Sequence, residues 1–373
     1  ARRFIITSFS VIFFISTAQG EGFYVKSGFN REYNTNLYLG RMTTFPLLPP
    51  PDYSSNARIN LGYSRTVTNY LTFQGDYRFD LTEFAVLKTR NLLTHRTNLA
   101  ALINLGRFRL SPEVLLQLND EANNRWDYFN YEPALTLQYK DVTGLIGKIK
   151  YSFSNKLYAR KTPTDYNDTS FDYLDGDIWE HLWETELVSW HADFWRTKLY
   201  YNLDFSDYQQ KWPDEHGGFK LLSERNALYQ SAGVEQLFLP RDWLLFTIGY
   251  EIHQATSTQA IYSYQGQSIS AGCSLKIAEF LSFFIQASYE PRNYLLPESD
   301  LFYYIDQSRQ EKLKMLQSSL KYNLADFAFL EFSYQYIVNE SEYTSILNDI
   351  LITNASDYGY TQEIYNLALN LTF

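Results

Sequence analysis

The stretch YNLALNLTF, residues 365–373, alternates without a break. Tyr365, Leu367, Leu369, Leu371 and Phe373 fall on one face, and Asn366, Ala368, Asn370 and Thr372 on the other. A period of two is the period of a β-strand. The last residues of a soluble domain usually fray, so an apolar stripe at this position calls for something to cover it.

The same alternation recurs upstream. ARINLGYSR sets Ala57, Ile59, Leu61 and Tyr63 against Arg58, Asn60, Gly62 and Ser64. LTFQGDYRFDL sets Leu71, Phe73, Tyr77, Phe79 and Leu81 against Thr72, Gln74, Asp76, Arg78 and Asp80. LIGKIKYSF, TKLYYNLDF and LSFFIQASYE repeat the pattern. Strands of soluble sandwiches are usually about five or six residues long. Here the runs reach roughly nine to twelve, the length that lets a tilted strand cross a bilayer.

The connections alternate as well. Very short ones fall at 66–69, 106–107, 141–144, 191–194, 240–242, 278–279 and 325–326. Long polar ones are expected at 41–55, 82–93, 119–126, 159–179, 210–224, 294–310 and 341–361, with a shorter one near 257–259. A barrel has this asymmetry when one rim faces the periplasm and the other the outside. The fold class predicted for residues 21–373 is therefore all-β. It is a closed antiparallel transmembrane β-barrel of about 16 strands, with short periplasmic turns and long extracellular loops. Closure abolishes the sheet edges that lipid cannot satisfy.

Aromatic residues make up 18% of the chain, with 32 Tyr, 27 Phe and 7 Trp. Tyr70, Phe108, Trp195, Trp243, Phe280 and Phe327 each come at or just after a short turn. Amphipathic rings prefer the headgroup level, so these six are the expected periplasmic girdle. Cys273 shares a face with Ile269, Ala271 and Leu275 and is expected to face lipid.

Arg2 and Arg3 precede the apolar stretch FIITSFSVIFFIS, residues 4–16, and small residues follow at Ala18 and Gly20. Residues 1–20 thus have the layout of a secretory signal peptide, expected to be cleaved. With Cys273 as the only cysteine, no intrachain disulfide can form. The net charge of -10 argues against a nucleic-acid partner.

The chain's end resembles the C-terminal assembly signal of bacterial outer-membrane β-barrels. Tyr365, Leu367, Leu369, Leu371 and Phe373 match its alternate apolar or aromatic positions. The resemblance implies a Gram-negative outer-membrane location and recognition by the barrel-assembly machinery. Lipid and lipopolysaccharide would surround the protein. GFNREYNTNLYLG, residues 28–40, followed by ARINLGYSR, is similar to the opening strands of barrel-porin families that accompany exopolysaccharide secretion.

No catalytic or cofactor motif is present: there is no GxSxG elbow, P-loop or CxxCH site. The five histidines lack metal-site spacing, and His253 is read as a polar lumen residue beside Glu251. Asp165, Asp168, Asp172, Asp175 and Asp177 lack the spacing of an EF-hand loop. Neither an enzyme, a cofactor nor a metal site is expected.

The polar faces of the first-half strands carry Arg58, Arg78, Arg107, Arg109, Lys148, Lys150, Lys156 and Lys198. The acids noted there are fewer: Asp76, Asp80, Glu113 and Asp204. A low-dielectric wall focuses such charge into an aqueous lumen. The expected function is a porin-like conduit, partly basic along one wall, for small anions or an exported polysaccharide. The alternative is a closed structural barrel that displays acidic, Tyr-rich loops to a partner.

Overall fold

The computed structural model describes residues 22–35, 52–85, 91–121, 127–158, 178–213, 219–258, 263–294, 307–347, 350–355 and 360–372. The expected signal peptide (1–20), the acidic loop 165–177 and Phe373 lie outside the described residues.

The described elements are all strands. The first eight are β1 (Phe23–Asn34), β2 (Asp52–Thr68), β3 (Leu71–Phe84), β4 (Leu92–Leu105), β5 (Phe108–Glu121), β6 (Tyr128–Lys140), β7 (Ile146–Tyr158) and β8 (Ile178–Ala192). The rest are β9 (Trp195–Pro213), β10 (Phe219–Arg241), β11 (Leu244–Ser257), β12 (Tyr264–Ala278), β13 (Leu281–Tyr294), β14 (Gln307–Ala325), β15 (Ala328–Leu347), β16 (Ile350–Ala355) and β17 (Tyr360–Thr372). Consecutive strands from β1 to β16 pair antiparallel, and β17 pairs with β1 from Lys26↔Thr372 to Asn34↔Ile364, closing the cylinder. β16 pairs only with the far end of β15, from Leu347↔Ile350 to Glu342↔Ala355, while β15 itself continues the wall to β17. The wall is thus a closed 16-stranded antiparallel barrel, and β16 is a flap on its rim.

The alternating connections explain how one rim differs from the other. Two or a few residues join β2 to β3, β4 to β5, β6 to β7, β8 to β9, β10 to β11, β12 to β13 and β14 to β15. Gly106 supplies the positive φ of 66° in one of these turns. At the other rim the strands run further than the sequence reading allowed. The long connection expected at 210–224 is strand up to Pro213 and again from Phe219, and within the one expected at 341–361 residues 341–347 belong to β15 and 350–355 form β16. The hairpins continue beyond the length a bilayer requires, where alternation of apolar and polar residues is no longer enforced.

Apolar side chains line the outside of this cylinder. Leu99, Ile248, Ile269, Phe332 and Leu367 are all exposed, and the buried apolar residues among those described are only Val25, Ile178, Leu237, Ala328 and Ala368. A water-soluble fold of this size buries a packed core. Here the pattern is inverted, so the surrounding hydrocarbon must supply the apolar environment. The inward face is polar and tightly fitted at places. Tyr200 lies across Gly233 on β10, where an added Cβ would sit 2.3 Å from the ring. A ring over a strand glycine restores the packing that the missing side chain forfeits.

Cys273 stands outward, opposite Phe246 on β11 and Ile285 on β13. In the membrane-inserted protein it should therefore react slowly with a charged, membrane-impermeant thiol reagent, and readily once the chain is unfolded. Rapid labelling of the native barrel would reverse this facing.

Candidate functional site

The inward side chains form three groups of charges. The first spans β2 to β4. Arg58 Nε donates to Asp80 Oδ1 at 2.6 Å. Arg78 grips the same carboxylate through Nε and a second nitrogen. Asp80 itself is buried. Directly opposite Arg78 on β4 stands Arg96, which the sequence reading did not single out.

The second group runs from β7 to β10 as columns of alternating sign. Lys148 lies 3.7 Å from Glu186, and Lys150 3.5 Å from Glu184. Lys198 approaches Glu186 from the other side at 3.1 Å. Arg196 donates to Glu235 at 2.8 Å. Glu132, Glu180, Glu184, Glu186 and Glu235 share the inward face with these cations. The expected excess of bases across the whole first half is thus offset by inward acids of β6, β8 and β10, which the strand register sets beside these cations. The segment WEHLWETEL of β8 does alternate, with Trp179, His181 and Trp183 outward and Glu180, Glu184 and Glu186 inward, so the signal was present.

The remaining expected basic residues are placed differently. Arg109 on β5 donates to Asn104 Oδ1 at 2.9 Å and keeps its inward position. Lys156 sits 4.2 Å from the Tyr128 ring centroid. Arg107 lies in the β4–β5 turn rather than on a strand face, and its guanidinium reaches Asp141 of the next short turn at 3.1 Å. The Val142 backbone N–H and then the Thr143 hydroxyl hold the Asp141 carboxyl below its usual range.

The third group occupies β9 to β14, from mid-wall toward the rim with the longer connections. Glu251 accepts the Tyr200 hydroxyl at 2.8 Å and that of Tyr229 at 3.4 Å. His253, almost wholly enclosed, has Nδ1 3.4 Å from Glu251 and Nε2 3.2 Å from Glu290. Arg292 donates to Glu290 and covers the Tyr264 ring. Arg309 lies 3.5 Å from the Tyr294 centroid and 3.3 Å from Glu311.

The outward face carries two aromatic rows. Tyr70, Phe108, Trp195, Trp243, Phe280 and Phe327 are all exposed at the short-turn ends of their strands. A second row was missed in the sequence. Tyr334, Tyr365, Tyr33 and Tyr53 stand opposite one another across β15, β17, β1 and β2, with ring centroids 4.9, 6.2 and 4.7 Å apart. Of the expected C-terminal set, Tyr365, Leu367, Leu369 and Leu371 point outward on β17.

A closed 16-stranded barrel, apolar without and charged within, is an integral outer-membrane β-barrel of porin-like architecture. No family model matches the sequence, and no curated protein matches it either. Among solved structures, the chain is similar to OmpT, an outer-membrane protein of Vibrio cholerae, in its trimer form. That pair shares 12% identity over 94% of this chain and 98% of the other, with a TM-score of 0.52. A bacterial polysaccharide outer-membrane secretin (8% identity, 94% and 97% covered, TM-score 0.48) is another similar structure. So is an anion-selective porin from Comamonas acidovorans (10%, 94% and 98%, 0.47). These identities carry the fold alone, and the last two superpose too loosely to bear on anything finer.

Proposed function

We propose that the protein is a passive, water-filled conduit through the outer membrane for small hydrophilic solutes, with a preference for anions. The observation that carries this reading is the inward face of the 16-stranded wall, charged from β2 round to β15. A barrel of this strand number encloses an interior too wide for side chains alone to fill. Ion pairs along β7–β10 hold their side chains against the wall, whereas on β2–β4 Arg58 and Arg78 share the single carboxylate of Asp80 and Arg96 has no acidic partner among the described residues. Small anions are the favoured cargo over an exported polysaccharide. Sugar rings bind by stacking on free aromatic faces, whereas Arg292 and Arg309 cover those of Tyr264 and Tyr294.

The reading is of a channel and not of an enzyme. Both ring nitrogens of His253 face carboxylates, and the Ser231 hydroxyl opposite it accepts from Asn202 at 3.2 Å. A serine nucleophile would need one of those nitrogens as its base. We further assign the short-turn rim to the periplasm, with its aromatic residues at the headgroup level. The row of Tyr334, Tyr365, Tyr33 and Tyr53 would lie toward the lipopolysaccharide leaflet. The outward stripe of β17, with Phe373, would serve as the assembly signal, and residues 1–20 as the export signal.

Purified barrel added to a planar bilayer should give stepwise, ohmic conductance, with a reversal potential in a KCl gradient that favours chloride. Absence of any conductance would favour a structural barrel displaying its loops.

A further inference from the structure

We propose that Arg58, Arg78 and Arg96 form a binding locus for a small oxyanion on the lumen wall, with Arg96 its free guanidinium. This rests on the conduit reading above and gives that conduit a specific ligand site.

The β3–β4 register contains a pairing that a sheet would ordinarily avoid. Arg78 and Arg96 stand directly opposite each other on β3 and β4. Both face inward, since their outward neighbours Tyr77 and His95 are hydrogen-bonded to each other on the other side of the sheet. Side chains so placed have Cβ atoms about 4.5–5.5 Å apart, and like charges there are destabilising. The neighbouring strands do not relieve the pair. Asn60 lies opposite Arg78 on β2, and Gln117 opposite Arg96 on β5.

Acid is scarce around them. Asp80 takes both Arg58 and Arg78, so two cations share one anion before Arg96 is added. Asp76 lies opposite Asn98, one inward position nearer the short-turn rim, and makes no ion pair with either arginine. Arg96 is exposed to the lumen and has no acidic partner among the described residues. A guanidinium presents a planar fork that matches the two-oxygen edge of a carboxylate or phosphate. Arg78 already displays this recognition on Asp80, with two of its nitrogens on the two carboxylate oxygens. The Arg96 fork is left to do the same for a solute. The Arg58–Asp80–Arg78 cluster behind it fixes the wall and adds one net positive charge. In a low-dielectric wall that field is focused into the lumen.

The protein in planar bilayers tests this, with inorganic phosphate and acetate as probes. Each should reduce the wild-type chloride current in a saturable way. In Arg96→Gln the block should weaken on the order of tenfold, the scale of losing a charge-assisted hydrogen-bonded pair. In Arg96→Glu chloride preference should fall or invert. Arg96→Lys, which keeps the charge and loses the fork, should retain chloride preference while losing much of the phosphate block. A channel that conducts with unchanged block and selectivity in all three variants overturns the locus and leaves the conduit. A wild-type barrel with no conductance overturns the conduit instead. In that case titration calorimetry of phosphate into the detergent-solubilised barrel decides the locus: heat with wild type and none with Arg96→Gln upholds it, and none with either removes it. Heat-modifiable migration on gels establishes that each variant is folded.

Discussion

A chain cut after residue 359, and so lacking β17, is expected to yield no heat-modifiable barrel in detergent or lipid. β17 is hydrogen-bonded along both edges, to β1 from Lys26↔Thr372 to Asn34↔Ile364 and to β15 from Ala328↔Leu371 to Asn339↔Tyr360. Its loss would open the cylinder and orphan the facing edges of β1 and β15. In hydrocarbon each unsatisfied backbone group costs several kcal/mol, because no water can replace the missing partner. Over a membrane-spanning edge that sum exceeds the total stability of ordinary domains, about 5–15 kcal/mol. Deletion of residues 350–355 is the matched control. β16 pairs only with the distal end of β15, beyond the pairing of β15 with β17, and no edge within the wall depends on it. That variant should fold and migrate like the full chain. A folded, heat-modifiable product from the truncated chain would mean that β1 and β15 can close the barrel without β17.

The same physics explains which features could be read from the sequence. Facing was legible because lipid on one side and water on the other impose a period of two on every wall strand. Leu71, Phe73, Leu203 and Phe283 therefore take the side their alternation indicates. Strand number was legible because the short turns punctuate the chain at each hairpin. Strand ends at the other rim were not. Beyond the bilayer neither face is constrained, and β9, β10 and β15 continue through polar residues that read as loop. Ion pairing was not legible either. Lys150 and Glu184 lie 34 residues apart, counted from their sequence numbers, and only the β7–β8 register brings them together. A column of lysines on one strand reads as a basic wall until the next strand is aligned against it. Arg96 escaped notice for the related reason that its strand, LLTHRTNLAALINL, alternates weakly, with small or polar residues on both faces.

Leu199→Arg should destabilise the barrel by about 2–4 kcal/mol, the cost of a lipid-facing arginine near the bilayer midplane. Leu199 is exposed on the outer wall, between Leu187 on β8 and Val234 on β10. It lies four residues beyond Trp195, the ring at the short-turn end of β9. At about 3.4 Å per residue along a strand tilted by about 35–45°, that is roughly 10 Å of depth, near the middle of an apolar band about 25 Å tall. An arginine there can reach headgroups only by thinning the bilayer or drawing in water. Asn202→Arg, three residues on and facing inward, should change stability by little. It stands opposite Glu184 and Ser231, in water and beside an acid able to accept from it. Urea-induced unfolding in lipid vesicles, followed by tryptophan fluorescence, measures both. A cost at Asn202 equal to that at Leu199 would overturn the facing of β9, and with it the inward placement of Lys198 on the same strand.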